Sequence, residues 1–303
     1  MYPLVFLKAL LISAAMCPVL IAIAKRQGWM DLPSPRKVHV MPMPRIGGMA
    51  IFTGFAFAVL PLFVGSGHPL AQIFTMGAFI FFIGLLDDLL GLPALVKLGA
   101  QIIASAALWR AGVQISSIAG IHLGWVSFPV TVLWVLCLTN GFNLIDGLDG
   151  LSAGVGIIAC AAFLFIGMDG HVAAPFLLGG VALCGALVGF LPLNFHPAKL
   201  FMGDSGSTFL GFVMAALFTG DFFAEKGVGP LIPLLILGLP LLDVSYAFLR
   251  RVAARRSPFQ PDRMHIHHNL MRRGFSHRRA VYLLYAMSLV LAAIAALAAR
   301  FLK

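Results

Sequence analysis

Three short segments hold acids and amides at spacings that suit cation and phosphate chemistry. NGFNLIDGLDG (140–150) sets Asn140, Asn143, Asp146 and Asp149 three residues apart, directly after the apolar run VTVLWVLCL. Neighbours three apart lie close together on a helical surface. GLLDDLLGL carries the adjacent pair Asp87 and Asp88. Adjacent residues point about 100° apart around a helix, so one carboxylate can take a metal while the other does something else. FMGDSGST places Asp204 between two glycines, in a turn where backbone amides can approach an anion without a Cβ in the way. Such carboxylates suit a hard divalent cation, Mg²⁺ or Mn²⁺, which one or two of them hold together with substrate phosphates.

Each segment also has a plain structural reading. A paired aspartate is commonly a solvated helix end, DGLDG is turn chemistry, and GDSG is a helix N-cap using Ser205 or Ser207. The basic segments favour the functional reading. RKVHVMPMPR supplies Arg36, Lys37, His39 and Arg45, Lys97 follows Asp87 by ten residues, and PDRMHIHHN supplies Arg263, His265, His267 and His268. The H-x-H-H cluster lacks the cysteine or nearby Asp–His spacing that would complete a tetrahedral zinc set, so phosphate recognition suits it better. His196 and Lys199 in NFHPAKLF suit phosphate contact and turn roles equally. Asp243 in PLLDVSYAFLRR either pairs with Lys97 or a loop arginine, or orients the last loop.

Behind these segments stands an apolar framework. The 303 residues are 60% hydrophobic and 11% charged, with mean hydropathy +0.98, where soluble domains carry about a quarter charged residues. We read one all-α integral membrane domain over residues 1–303. Apolar runs predict about ten spans, at 3–24, 46–64, 70–86, 97–113, 125–142, 151–168, 172–193, 206–223, 228–249 and 280–300. The first is kept as a span rather than a cleaved leader, because no basic segment precedes it and no A-x-A site follows. The four cysteines all lie in apolar runs, as buried thiols.

Sixteen of the 21 basic residues fall in alternate loops, about 25–45, 87–97, 140–150, 193–205 and 250–279. These loops are therefore assigned to the cytoplasm, with both termini outside. The net charge of +10 follows largely from this bias and points to anionic headgroups, not nucleic acid. Eight of the eleven acids, Asp31, Asp87, Asp88, Asp146, Asp149, Asp204, Asp243 and Asp262, sort to the same face. Membrane insertion does not require that, and ionisable residues at a membrane edge are a functional hypothesis by default. Metal-binding acids beside phosphate-binding bases at headgroup level indicate phosphoryl chemistry between a soluble donor and a lipid.

DLPSPRKVHVMPMPRIGG, GLLDDLLGLPALVKLGAQ, NGFNLIDGLDGLSAG, HPAKLFMGDSGSTFLGF and PDRMHIHHNLMRRGFSHRRAV, in that order, resemble the polyprenyl-phosphate N-acetylhexosamine-1-phosphate transferase family. That family includes the WecA- and TagO-type initiators of surface glycans such as O-antigen and teichoic acid. The phospho-N-acetylmuramoyl-pentapeptide transferase is a more distant member. The resemblance implies a bacterial cytoplasmic-membrane enzyme that moves a sugar 1-phosphate from a UDP-sugar to undecaprenyl phosphate, with homodimers as the family expectation. It implies Asp87 and Asp204 as Mg²⁺ ligands, Asp88 as base for the lipid phosphate, and Lys97, His265, His267 and His268 as phosphate or sugar contacts. Lys37, His39, Asn143, Asp146, Asp149 and Arg263 would bind nucleotide or substrate, with Phe201 stacking on uracil.

Ile266 interrupts the three consecutive histidines of the muramoyl-pentapeptide branch, so HIHH resembles the N-acetylglucosamine branch and points to UDP-N-acetylglucosamine. Other N-acetyl amino sugars, or UDP-MurNAc-pentapeptide, are the alternative donors. The rival class is an ion-coupled secondary transporter, which requires acids near the bilayer midplane and related halves. Neither is evident here.

Overall fold

The computed structural model describes residues 1–32, 41–63, 69–168, 172–219, 229–254 and 265–301. Its helices are α1 (Tyr2–Gln27), α2 (Gly48–Phe63), α3 (Pro69–Leu90), α4 (Ala94–Arg110), α5 (Ser127–Ile145), α6 (Leu151–Ile166) and α7 (Ala174–Asn194). They continue with α8 (Gly203–Leu217), α9 (Leu231–Ile236), α10 (Gly238–Ala253), α11 (Ile266–Arg272) and α12 (His277–Phe301). Two short antiparallel pairs add to the all-α expectation: β1 (Met30–Asp31) with β2 (Met43–Pro44), and β3 (Ser117–Ile118) with β4 (Ile121–His122). Among the described residues, five helical segments are long and apolar enough to cross a membrane: Tyr2–Gln27, Pro69–Leu90, Gly124–Ile145, Ala174–Asn194 and His277–Arg300.

The expected run 228–249 is not one helix among its described residues. It breaks between Ile236 and Gly238 into α9 and α10, where Pro233, Gly238 and Pro240 fall within eight residues and interrupt the intrahelical hydrogen-bond ladder. The expected loops at 87–97 and 140–150 start later than their charges suggest. Asp87 and Asp88 lie within α3, and Asn140 and Asn143 lie within α5.

α8 is the axis of the bundle. Every residue from Ser205 to Leu217 is buried, and α2, α3, α5 and α7 pack around it. Missing side chains allow this approach. A Cβ on Gly84 would stand 2.6 Å from the Ser205 Cα, and one on Gly48 would stand 2.3 Å from the Gly206 amide nitrogen. Small residues let helix backbones touch where lipid offers no hydrophobic drive to associate. Gly185 and Gly189 serve likewise on α7, each facing a carbonyl of α1, Phe6 O and Leu10 O respectively.

Candidate functional site

The close contacts at the start of α8 fix what surrounds its N-terminus. Asp88 follows Gly84 by four residues and so lies on the same face of α3. Contact at Gly84 therefore carries the Asp88 carboxylate onto the first free amides of α8. Its Oδ1 accepts from Asp204 N–H at 2.8 Å and its Oδ2 from Ser205 N–H at 2.9 Å. An anion here is favoured by both the unpaired amides and the helix dipole. Gly203, at φ +75°, makes the entry: a Cβ there would lie 2.4 Å from Arg45 O and 2.6 Å from Asp88 Oδ2.

Arg45 reaches the same point from the link between β2 and α2. Its guanidinium pairs with Asp204, with Asp88 (Nε to Oδ1, 3.3 Å) and, more distantly, with Asp31 (3.9 Å). Burial works against its charge, but Asp204, Asp88 and Asp31 outweigh that and hold it protonated. Lys97, at the start of α4, lies with Nζ 2.6 Å from Asp87 Oδ2 and 3.1 Å from Asp204 Oδ2. Asp87 Oδ1 accepts from Leu92 N–H at 2.7 Å, closing the turn that leads to Lys97. The structure thus gathers Asp87, Asp88, Lys97 and Asp204 at one end of α8. Asp88 is the deepest of these carboxylates, 1% exposed against 9% for Asp87 and 13% for Asp204.

A cavity of about 600 Å³ opens beside this cluster, lined by Asp204 and Arg45, by Asn143, Asp146 and Asp149, by Phe201, and by His265, His267 and His268. Asp87 and Lys97 stand behind Asp204, outside the lining. Asn143 donates to Ser207 Oγ at 2.9 Å, which ties α5 to α8. Asp146 caps α5, and burial, with Asp204 and Asp88 nearby, pushes its carboxyl well above the usual range. Asp149 holds the next loop: Oδ2 lies 2.7 Å from His196 Nδ1 and accepts from Ala198 N–H at 3.1 Å.

Opposite the acids, the three histidines are set by Asp243. This fully buried carboxylate lies 2.8 Å from His265 Nδ1 and accepts from Ile266 N–H at 2.7 Å. Of the two expected roles, orienting the last loop is the one seen among the described residues. His267 is 2% exposed, and neither ring nitrogen has a hydrogen-bond partner among the described residues. Burial, then His268, lowers its pKa to about 3, so the ring is neutral at physiological pH. Its Nε2 faces Gly147, where a Cβ would approach to 2.3 Å. Lys37, His39 and Arg263 lie outside the described residues.

Sequence reasoning gave no specific role to Arg45, His277 or Asn194. Asn194 accepts from Gly150 N–H at 3.1 Å and donates to Leu200 O at 3.0 Å, joining two loops of the cavity. The available signal was position: PRIGG and NFHPAK flank segments that already held named residues.

The glycosyl transferase family 4 model matches residues 70–220, the stretch from α3 through α8 that carries Asp87, Asp88, Asp146, Asp149 and Asp204. A Bacillus subtilis (strain 168) protein named "Probable undecaprenyl-phosphate N-acetylglucosaminyl 1-phosphate transferase" is 38% identical over 94% of this chain and 81% of its own length. The chain belongs to glycosyl transferase family 4. Within the family, the Mycobacterium leprae (strain TN) "Decaprenyl-phosphate N-acetylglucosaminephosphotransferase" is 40% identical over 87% of this chain and 75% of its own. The Escherichia coli (strain K12) "Undecaprenyl-phosphate alpha-N-acetylglucosaminyl 1-phosphate transferase" is 32% identical over 91% and 78%. The resemblance read from the motifs is to this same group.

Proposed function

We propose that this family 4 member transfers N-acetylglucosamine 1-phosphate from UDP-N-acetylglucosamine to undecaprenyl phosphate, releasing UMP, at the cytoplasmic face of a bacterial inner membrane. In this reading the ten-span arrangement with both ends outside places all five segments on that face. The observation that carries the proposal is the convergence of Asp87, Asp204, Lys97 and Arg45 at one helix end, beside a cavity with histidines on its far wall.

Asp87 and Asp204 suit a divalent cation by donor type, since both offer carboxylate oxygen. The Lys97 ammonium within 3.1 Å of both carboxylates already occupies the position of a cation between them. Bound Mg²⁺ (or Mn²⁺) would act as a Lewis acid, neutralising charge on the donor diphosphate. The chain's own groups account for the rest. A lipid phosphate oxygen bonds to the sugar-bearing phosphorus, and the bond from that phosphorus to the bridging oxygen breaks, with UMP as the leaving group. A phosphomonoester with second pKa of about 6 is a usable nucleophile at neutral pH, so the chemistry needs no strong base. That agrees with the setting of Asp88: both of its oxygens are committed to α8 amides, which favours an anchoring role over the base role implied by resemblance. Arg45, which lines the cavity, is positioned to offset phosphate charge as it develops, and Lys97 acts on that charge through the Asp87–Asp204 pair that it bridges. His267, neutral and without a hydrogen-bond partner among the described residues, is a donor for a phosphate or sugar oxygen. Asn143, Asp146, Asp149 and Phe201 line the nucleotide side.

The test is transfer of label from UDP-N-acetylglucosamine to undecaprenyl phosphate by the purified protein with Mg²⁺, run beside UDP-N-acetylgalactosamine and UDP-MurNAc-pentapeptide. We expect lipid-linked label from the first donor and its loss in Asp87→Asn and Asp204→Asn. Label from none of the donors, or both variants fully active, would overturn the proposal.

A further inference from the structure

Distant segments fasten the backbone of the turn that joins α5 to α6. Gly150, at φ +78°, opens α6. Its carbonyl accepts from Gly154 N–H at 2.9 Å, within the first turn of α6, and from the Tyr285 hydroxyl at 2.6 Å. Its N–H donates to Asn194 Oδ1 at 3.1 Å, and Asp149 N–H donates to His277 Nε2 at 3.0 Å. His277 and Tyr285 stand about two turns apart on α12. One helix therefore grips the Asp149–Gly150 pair at its leading N–H and at its trailing carbonyl.

The sequence makes room for this grip. A Cβ on Gly154 would lie 2.1 Å from the Tyr285 hydroxyl oxygen and 2.2 Å from its Cζ. At the other end of the same turn, Gly147 lies against His267 Nε2, so the turn is clamped between the histidine wall and α12. Tyr285 is partly buried and is not among the residues that line the cavity, whereas Asp149 is. The hydroxyl can therefore act on a bound donor only through the turn.

We propose that Tyr285 is a positioning residue for the donor: its hydroxyl holds the Asp149–Gly150 turn in the arrangement that receives the nucleotide. This role rests on the transfer reaction proposed above. When only a fraction of molecules carries the turn in that arrangement, apparent affinity falls by that fraction. Removing the hydroxyl spares the fold, because Gly150 O keeps the bond from Gly154 N–H and no buried carbonyl is stranded. The loss is then the net worth of one neutral hydrogen bond, a factor of about three to ten. It falls on the donor, which meets the turn. The lipid phosphate and the chemical step are spared, since the bound nucleotide itself restores the turn.

The test is steady-state transfer by the full chain in detergent, wild type beside Tyr285→Phe, with UDP-N-acetylglucosamine and undecaprenyl phosphate varied in turn. The expected result is a donor KM raised about three- to tenfold, with kcat and the undecaprenyl phosphate KM essentially unchanged. UMP, competing with the donor, should lose affinity by the same factor. Amide hydrogen exchange over residues 147–151 should quicken in the free variant and return to the wild-type rate with saturating UMP. Tyr282→Phe, on the same helix at a residue 54% exposed, should change none of these. A merely structural tyrosine would lower the thermal midpoint or the active fraction and leave the donor KM alone. KM does not depend on how much enzyme is active, so partial misfolding does not blur the reading. An unchanged donor KM and UMP affinity in Tyr285→Phe, or a rise shared equally by undecaprenyl phosphate, would overturn this role and leave the transfer reaction standing. No transfer by the wild type would overturn the reaction and the role together.

Discussion

Replacing Asp88 by Asn separates an anchoring carboxylate from a catalytic base. The side chain is 1% exposed and accepts from Asp204 N–H and Ser205 N–H while pairing with Arg45. An amide keeps one acceptor oxygen, removes the charge, and turns an NH₂ toward a backbone N–H that then has no partner. An unsatisfied buried donor costs about 1–3 kcal/mol, and the lost anion at the helix N-terminus adds about 0.3–1 kcal/mol. We therefore expect Asp88→Asn to destabilise the protein by roughly 1.5–4 kcal/mol. Asp88→Glu, one methylene too long for contacts of 2.8 and 2.9 Å, should share part of that loss. The assay is the thermal midpoint in detergent, measured beside transfer rate and its pH profile. An anchoring residue lowers the midpoint of Asp88→Asn, and the residual activity keeps its acid limb. An unchanged midpoint with abolished transfer and a lost acid limb would refute this reasoning and restore the base.

Gly203→Ala should fold poorly, because φ +75° and a carbonyl 2.4 Å from the new methyl leave no relaxed position; the yield of monodisperse protein checks this. Chelation should stop transfer by the wild type and Mg²⁺ restore it, while Asp87→Asn and Asp204→Asn should stay inactive when Mg²⁺ is returned; label counts before and after re-addition check this. His267 predicts a pH dependence of stability. Its pKa is lowered to about 3 in the fold against about 6.5 when unfolded, so the unfolded state binds more protons between those values. Stability should fall as pH drops from about 6.5 toward 3, and His267→Asn should flatten that limb in thermal midpoints measured across it.

The sequence made the acids legible because a chain so poor in charge has few reasons to set Asp87, Asp88, Asp146, Asp149 and Asp204 in short motifs at such spacings. It also made the helical framework legible, since apolar runs of span length admit little else. Contacts between distant segments were not legible. Arg45 and Asp204 are 159 residues apart and Asp88 and Ser205 are 117 apart, and local spacing says nothing of either pair. Gly84 and Gly48 looked like ordinary small residues; only the backbone packed against them shows why no side chain fits. His196, His277 and Asp149 likewise come from three segments, so their meeting could not be read along the chain. The break at Gly238 was missed because hydropathy does not register a lost hydrogen bond.

Asp87, Asp88 and Asp204 carry three negative charges against the two positive charges of Lys97 and Arg45. Self-repulsion among the acids is thus largely cancelled before any dissolved ion arrives. Small zinc domains, by contrast, collapse when their metal is withdrawn. This bundle should assemble in the membrane with the same packing whatever the supply of divalent ions, and a chelator should silence it without melting it.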